Sequence, residues 1–151
     1  MGLGLGTGLV IVEHDHRRIL ARAHHADAAT IAAALAAARE GWRRWSAMRF
    51  ADRAAVFLKA ADLLAGPWRA RLNAATMLGQ SKSVFQAEID AACELIDFWR
   101  FNVHFMWQLL GEQPLSSPGT WNMLEARGLE GFVYAVTPFN FTAIAGNLPV
   151  A

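Results

Sequence analysis

Phe132-Val-Tyr-Ala-Val-Thr-Pro-Phe-Asn-Phe-Thr-Ala-Ile144 is the stretch on which the fold reading turns. Its first five residues are almost all apolar, the pattern of a strand buried on both faces. Thr137-Pro138 stops that strand, because proline has no N–H to give to a ladder. Asn140 to Ala145 then reads as the first turn of a helix. A buried strand that breaks into a helix places the intervening side chains at the carboxyl edge of a sheet, where open α/β sheets bind their ligands. An Asn amide at that edge can donate a hydrogen bond to a developing oxyanion without carrying charge itself. Pro-x-Asn also serves as an ordinary turn and cap, so the segment alone leaves both readings open.

Upstream, residues 121–125 read as a second strand, joined to the first through Ala126-Arg-Gly128. The Pro/Ser/Gly-rich stretch 113–119 separates this region of period 2 from a region of period 3.6. In that earlier region Ser83-x-x-Gln86 forms a capping box and predicts a long helix reaching towards Leu110. Gly66 and Pro67 mark the end of one helix and the start of the next. The earlier of these opens at Ala51 or Asp52. Asp27 is a good N-cap for a first helix running to about Ser46, with Ile31, Leu35, Ala38, Trp42 and Trp45 on one face. Residues 9–12 and 19–23 flank the polar turn His14-Asp-His-Arg-Arg18 and predict a small hairpin. The fold class is therefore α/β: a helical layer at about 27–110, a hairpin or sheet segment at about 120–137, and a helix onset over 140–151. Residues 1–12 are a poorly defined, glycine-rich start, and 13–151 form the folded part.

Composition narrows the function classes. Of 151 residues 54% are hydrophobic, and the 29 alanines supply much of the excess, so the bias is towards helix. Six Trp and nine Phe exclude intrinsic disorder. A net charge of +1 creates no field suited to nucleic acid or an anionic membrane. No run of apolar residues is long enough for a transmembrane helix. The alternating glycines of Met1-Gly-Leu-Gly-Leu-Gly-Thr-Gly8 match neither a signal peptide nor a dinucleotide fingerprint. A single cysteine forbids an internal disulfide and suits a reducing compartment.

Most residues with chemical potential have a plain structural reading. His14, His16, His24 and His25 lie in a polar segment with no carboxylate or Cys at a ligand spacing, so a solvated turn is expected and no metal. Cys93 sits among Ile89, Ala92, Ile96 and Val103, a helix face read as core, with no His three or four residues away to activate it. Trp42, Trp45, Trp99 and Trp107 are expected to pack helices together. Glu94 shares its side of the long helix with Phe98, Phe101 and Phe105. It reads either as one of a solvated carboxylate stripe or as the neighbour of an aromatic cleft.

Val133-Tyr-Ala-Val-Thr-Pro-Phe-Asn-Phe-Thr142 resembles the Pro-(Trp/Phe)-Asn motif of the aldehyde dehydrogenase superfamily. Residues 51–66, Gly79-Gln-Ser-Lys-Ser83, residues 86–102 and residues 131–147 resemble, more narrowly, the L-glutamate γ-semialdehyde (1-pyrroline-5-carboxylate) dehydrogenases. The likeness covers about residues 13–149. It implies that Asn140 is the oxyanion-stabilising amide, and that Val136, Thr137, Pro138 and Phe139 line the NAD groove. Glu94 and Phe141 would lie near the aldehyde substrate. It further implies the opening strand and helix of a Rossmann-like dinucleotide-binding sheet, truncated at Ala151, and a hairpin near residues 121–125 that pairs subunits.

In that family a Cys thiolate attacks the aldehyde, hydride leaves to NAD and a Glu-activated water releases the acid. Neither the nucleophile's motif nor the general base is found in this chain, and Cys93 does not match the former. The expected function is therefore a fragment of an NAD-dependent dehydrogenase of glutamate semialdehyde in proline catabolism, inactive as these 151 residues alone. The expected parent is a homo-oligomer with a small aldehyde as substrate and neither nucleic acid nor membrane as partner. It would be cytoplasmic in a bacterium and mitochondrial in a eukaryote. The alternative is a non-catalytic helical interaction module derived from such an enzyme.

Overall fold

A computed structural model describes residues 7–12 and 15–150. The glycine-rich start up to residue 6, residue 13, His14 of the expected polar turn and Ala151 lie outside the described residues. Strands β1 (Thr7–Val12) and β2 (Asp15–His24) pair antiparallel, with Thr7 opposite His24 and Leu9 opposite Arg22. The register slips on either side of Ile11, so the end of the hairpin is bulged. The hairpin packs on the third helix of the chain, as expected of a short apolar ribbon too small to stand alone.

Helix α1 (Ala28–Ala47) starts where Asp27 Oδ1 accepts from Thr30 N at 2.8 Å and from Thr30 Oγ1 at 2.7 Å. These bonds stabilise the ionised Asp27 and hold its pKa below the ordinary carboxylate value. Helix α2 (Phe50–Ala65) closes at Gly66, and α3 (Arg69–Gln80) begins two residues after Pro67. Ser83 and Gln86 form the reciprocal capping box of α4 (Val84–Ala87). The same helical run continues through a π-helical segment (Glu88–Cys93) into α5 (Glu94–Gly111), so the long helix is present but changes its winding midway.

The core lies where α2 meets α5. Ala61 and Leu64 pack with Ala92, Leu95 and Ile96, and the alanines let the helices approach closely. Ala143 and Ile144, at the start of the short helix α6 (Ile144–Asn147), complete the cluster, with Trp99 and Phe141 against its edge. Aromatic contacts tie the outer helices in. Trp45 meets Phe57 edge-on at 6.3 Å between ring centroids, and Phe50 meets Trp107 at 5.7 Å. Trp42 instead borders the chain at Gly128 and Gly131, and Trp107 stays more exposed than Trp42 despite its contact with Phe50. The apolar stripe expected to bury α1 contains no buried residue.

Two strand expectations are corrected. Residues 121–125 form no ladder among the described residues, and side chains take up some of their backbone groups. Leu124 N donates to Gln113 Oε1 at 2.9 Å, and Asn122 N donates to Ser116 Oγ at 3.0 Å. Residues 131–136, the expected opening strand of the larger sheet, likewise have no strand partner among the described residues. A strand buried on both faces needs neighbours on both edges and both faces. Without them Tyr134 is 82% exposed and Val136 80%. The helix expected to open at Asn140 begins at Ile144, after a turn at 139–140. The chain exposes 11701 Å², against roughly 7,500 Å² for a compact domain of this mass. Much of its apolar surface is therefore uncovered.

Candidate functional site

The turn after α3 sets the site up. Ser81 ends the helix in the left-handed region, φ 49° and ψ 33°, and Ser83 immediately caps the next one. Between these two constraints the side chains of Gln80 and Lys82 both reach the segment 139–142. Lys82 Nζ donates to Asp90 Oδ2 at 2.6 Å and to Asn140 O at 2.8 Å, and lies 4.9 Å from the centroid of the Phe141 ring. The Gln80 carboxamide satisfies its surroundings with Nε2 towards Asn140 O and Thr142 Oγ1, each 3.2 Å away, and Oε1 towards Phe141 N at 3.3 Å. Asn140 is thus tethered through its backbone while its side chain stays exposed. No hydrogen bond to its carboxamide is found among the described residues.

Val136, Thr137, Pro138 and Phe139 precede it as an exposed row, with Phe139 97% accessible. Residues 132–147 contain no charged side chain. Such a surface offers flat apolar contact to a ring of a dinucleotide and no cation to its phosphates. The other predicted substrate residues fall on two faces. Phe141 packs at the core edge beside Lys82, whereas Glu94 lines a groove of about 380 Å³ with Asp97, Phe98, Phe101 and Phe105. The aromatic cleft expected beside Glu94 is therefore present, but Phe141 is not part of its lining and packs instead against the core cluster that contains Leu95 and Ile96.

Cys93 is corrected in its surroundings. The thiol is half-buried beside charges: Arg69 Nη2 lies 3.3 Å from Sγ, and the thiol faces Glu88 Oε1 at 3.7 Å. Burial, then the negative charge of Glu88, pushes the thiol pKa up, so it stays protonated and is a poor nucleophile. Glu88 is moved the other way. Hydrogen bonds from Arg69 and Asn73 hold it ionised, with its pKa below the ordinary glutamate range. A depressed folded-state pKa contributes stability at neutral pH that is lost as pH falls through it. Glu88→Gln is therefore expected to lower the denaturant midpoint at pH 7, with the gap to the parent protein closing as the medium becomes acidic. A gap that stays constant with pH would contradict this account.

His16, His24 and His25 are exposed on or just beyond β2. Among the described residues no three His, Cys, Asp or Glu side chains are grouped to hold a metal, and no helix is long and apolar enough to cross a membrane. Sequence reasoning missed Lys82, Gln80 and Asp90 as organisers of the site. One faint signal existed: Lys82 is one of only two lysines and directly precedes a strong helix cap.

The chain belongs to the aldehyde dehydrogenase family, whose model matches residues 6–150. It is 53% identical over 138 residues to a probable delta-1-pyrroline-5-carboxylate dehydrogenase of Schizosaccharomyces pombe, covering 91% of this chain and 25% of that protein. It is 57% identical over 135 residues to the mitochondrial delta-1-pyrroline-5-carboxylate dehydrogenase of Bos taurus, covering 89% of this chain and 24% of the relative. The crystal structure of the corresponding enzyme of Mycobacterium tuberculosis bound with NAD superposes with a TM-score of 0.92 at 60% identity, over 99% of this chain and 28% of that one. The chain has the fold of the N-terminal portion of that enzyme class, and it spans about a quarter of the length of the curated relatives it matches.

Proposed function

We propose that this chain is the N-terminal part of an NAD-dependent dehydrogenase that oxidises L-glutamate γ-semialdehyde, the open form of 1-pyrroline-5-carboxylate, to glutamate. The observation that carries the reading is the arrangement at 136–141: an exposed uncharged row, then an exposed Asn140 whose backbone is tethered. NAD, when bound, accepts the hydride. Val136, Thr137, Pro138 and Phe139 hold its nicotinamide end by shape and van der Waals contact. The Asn140 carboxamide N–H donates to the aldehyde oxygen as that oxygen gains negative charge. Phe141 and Glu94 are assigned to the substrate side. The uncovered apolar side chains of 121–133, among them Trp121, Leu124 and Phe132, suit pairing with a second subunit in a homo-oligomer. A bacterial host would hold the enzyme in the cytoplasm, and a eukaryotic host in mitochondria.

The test is NADH formation from glutamate semialdehyde by the enzyme that carries this segment, with direct NAD titration. Thr137→Trp is expected to raise the NAD dissociation constant about tenfold or more, because the indole occupies space the ring needs, while kcat at saturating NAD falls far less. Unchanged NAD affinity would remove Thr137 from the groove. No NADH from any aldehyde would favour the non-catalytic module.

A further inference from the structure

We propose that Lys82 is a positioning residue for this reaction: by fixing the peptide group between Asn140 and Phe141, it aims the Asn140 carboxamide at the reacting oxygen. The inference rests on the proposed role of Asn140. That peptide group is held at both ends. Its carbonyl accepts from Lys82 Nζ at 2.8 Å and from Gln80 Nε2 at 3.2 Å, and its N–H donates to Gln80 Oε1 at 3.3 Å. Clamping this group fixes the backbone rotation that sets where the Asn140 side chain projects relative to α6.

The clamp has a rigid base. Lys82 is only 16% exposed, and its ammonium is fully engaged: one side bonds Asp90, one bonds Asn140 O and one faces the Phe141 ring. Asp90 belongs to the π-helical segment, whose neighbours Ala91 and Ala92 are buried. The Lys82 backbone is pinned by the left-handed Ser81 before it and the capping box after it. The ammonium thus links the α3–α4 turn and the π-helical segment to a residue 58 positions away. Preorganising a donor in this way counts towards rate, because the donor need not reorient as the charge develops.

The experiment measures kcat, aldehyde KM and NAD dissociation constant in the enzyme that carries this segment, for Lys82→Met, Asn140→Ala and the double variant. Lys82→Met is expected to lower kcat about tenfold with NAD affinity kept within about twofold. With Asn140 already alanine, the same change should cost less than about twofold, since no carboxamide is left to aim. An undiminished kcat in Lys82→Met, or an equal loss in both backgrounds, overturns the positioning role. Should Lys82→Met not fold, Asp90→Asn keeps an acceptor for the ammonium but removes its counter-charge. It should then show a loss of about threefold that vanishes in the Asn140→Ala background, and an equal loss in both overturns the proposal. A loss at Asn140→Ala with none at Lys82→Met removes the positioning role alone, whereas an intact kcat in Asn140→Ala removes the oxyanion assignment and the positioning role with it.

Discussion

Replacing Asn140 by alanine in the enzyme that carries this segment is expected to lower kcat roughly 10²–10³-fold, about 2.7–4 kcal/mol of transition-state stabilisation, with NAD affinity nearly unchanged. The amide N–H interacts most strongly with an oxygen that bears charge, and the aldehyde oxygen does so only as the tetrahedral species forms. Alanine deletes the donor without adding bulk, and it leaves the backbone carbonyl that Lys82 binds at 2.8 Å. The exposed row 136–139 is likewise untouched. Steady-state kinetics with direct NAD titration check the claim. A kcat within a few-fold of the parent, or a loss of NAD affinity in step with kcat, would return Pro138-Phe-Asn140 to the status of an ordinary turn.

Leu95→Ala is expected to destabilise the protein by about 2–5 kcal/mol, the range for truncating a buried leucine. Leu95 is 2% exposed at the centre of the cluster formed by Ala61, Leu64, Ala92, Ile96, Ala143 and Ile144. Alanine neighbours have little side chain with which to close over the space, which favours the upper part of that range. The same cluster seats the first residues of α6, so the substitution should also loosen the segment that follows Asn140. Denaturant unfolding reads the first effect, and hydrogen exchange at the backbone of 143–147 reads the second. A change below about 1 kcal/mol would show that the cluster is not the core of the protein.

The helical half of the molecule was legible because its signals are local. Asp27 before an alanine-rich run, Gly66 followed by Pro67, and Ser83 with Gln86 each act within one turn of chain, and each appears as a cap or helix end. Even the π-helical segment lies inside a helix whose limits were foreseen. The expectation of strands at 121–125 and 131–136 rests on apolar period. Period shows which faces would be buried, not whether a neighbour is there to receive the hydrogen bonds. Here Gln113 and Ser116 bond the first stretch, and the second stands uncovered.

The site divides in the same way. Asn140, the row Val136 to Phe139 and the Glu94–Phe98–Phe101–Phe105 face were all visible as residue types at short spacing. Their chemical character, an uncharged donor beside an uncharged surface, follows from the side chains themselves. Tertiary structure alone decided that Lys82 and Gln80 hold the Asn140–Phe141 peptide, that Cys93 sits beside Arg69 and Glu88, and that Glu94 and Phe141 lie on different faces. Caps and helix periods are short-range and are set by neighbours in the chain. An ammonium that meets a carbonyl 58 residues away does so because the α2–α5 core has already fixed both ends, and no local pattern carries that information.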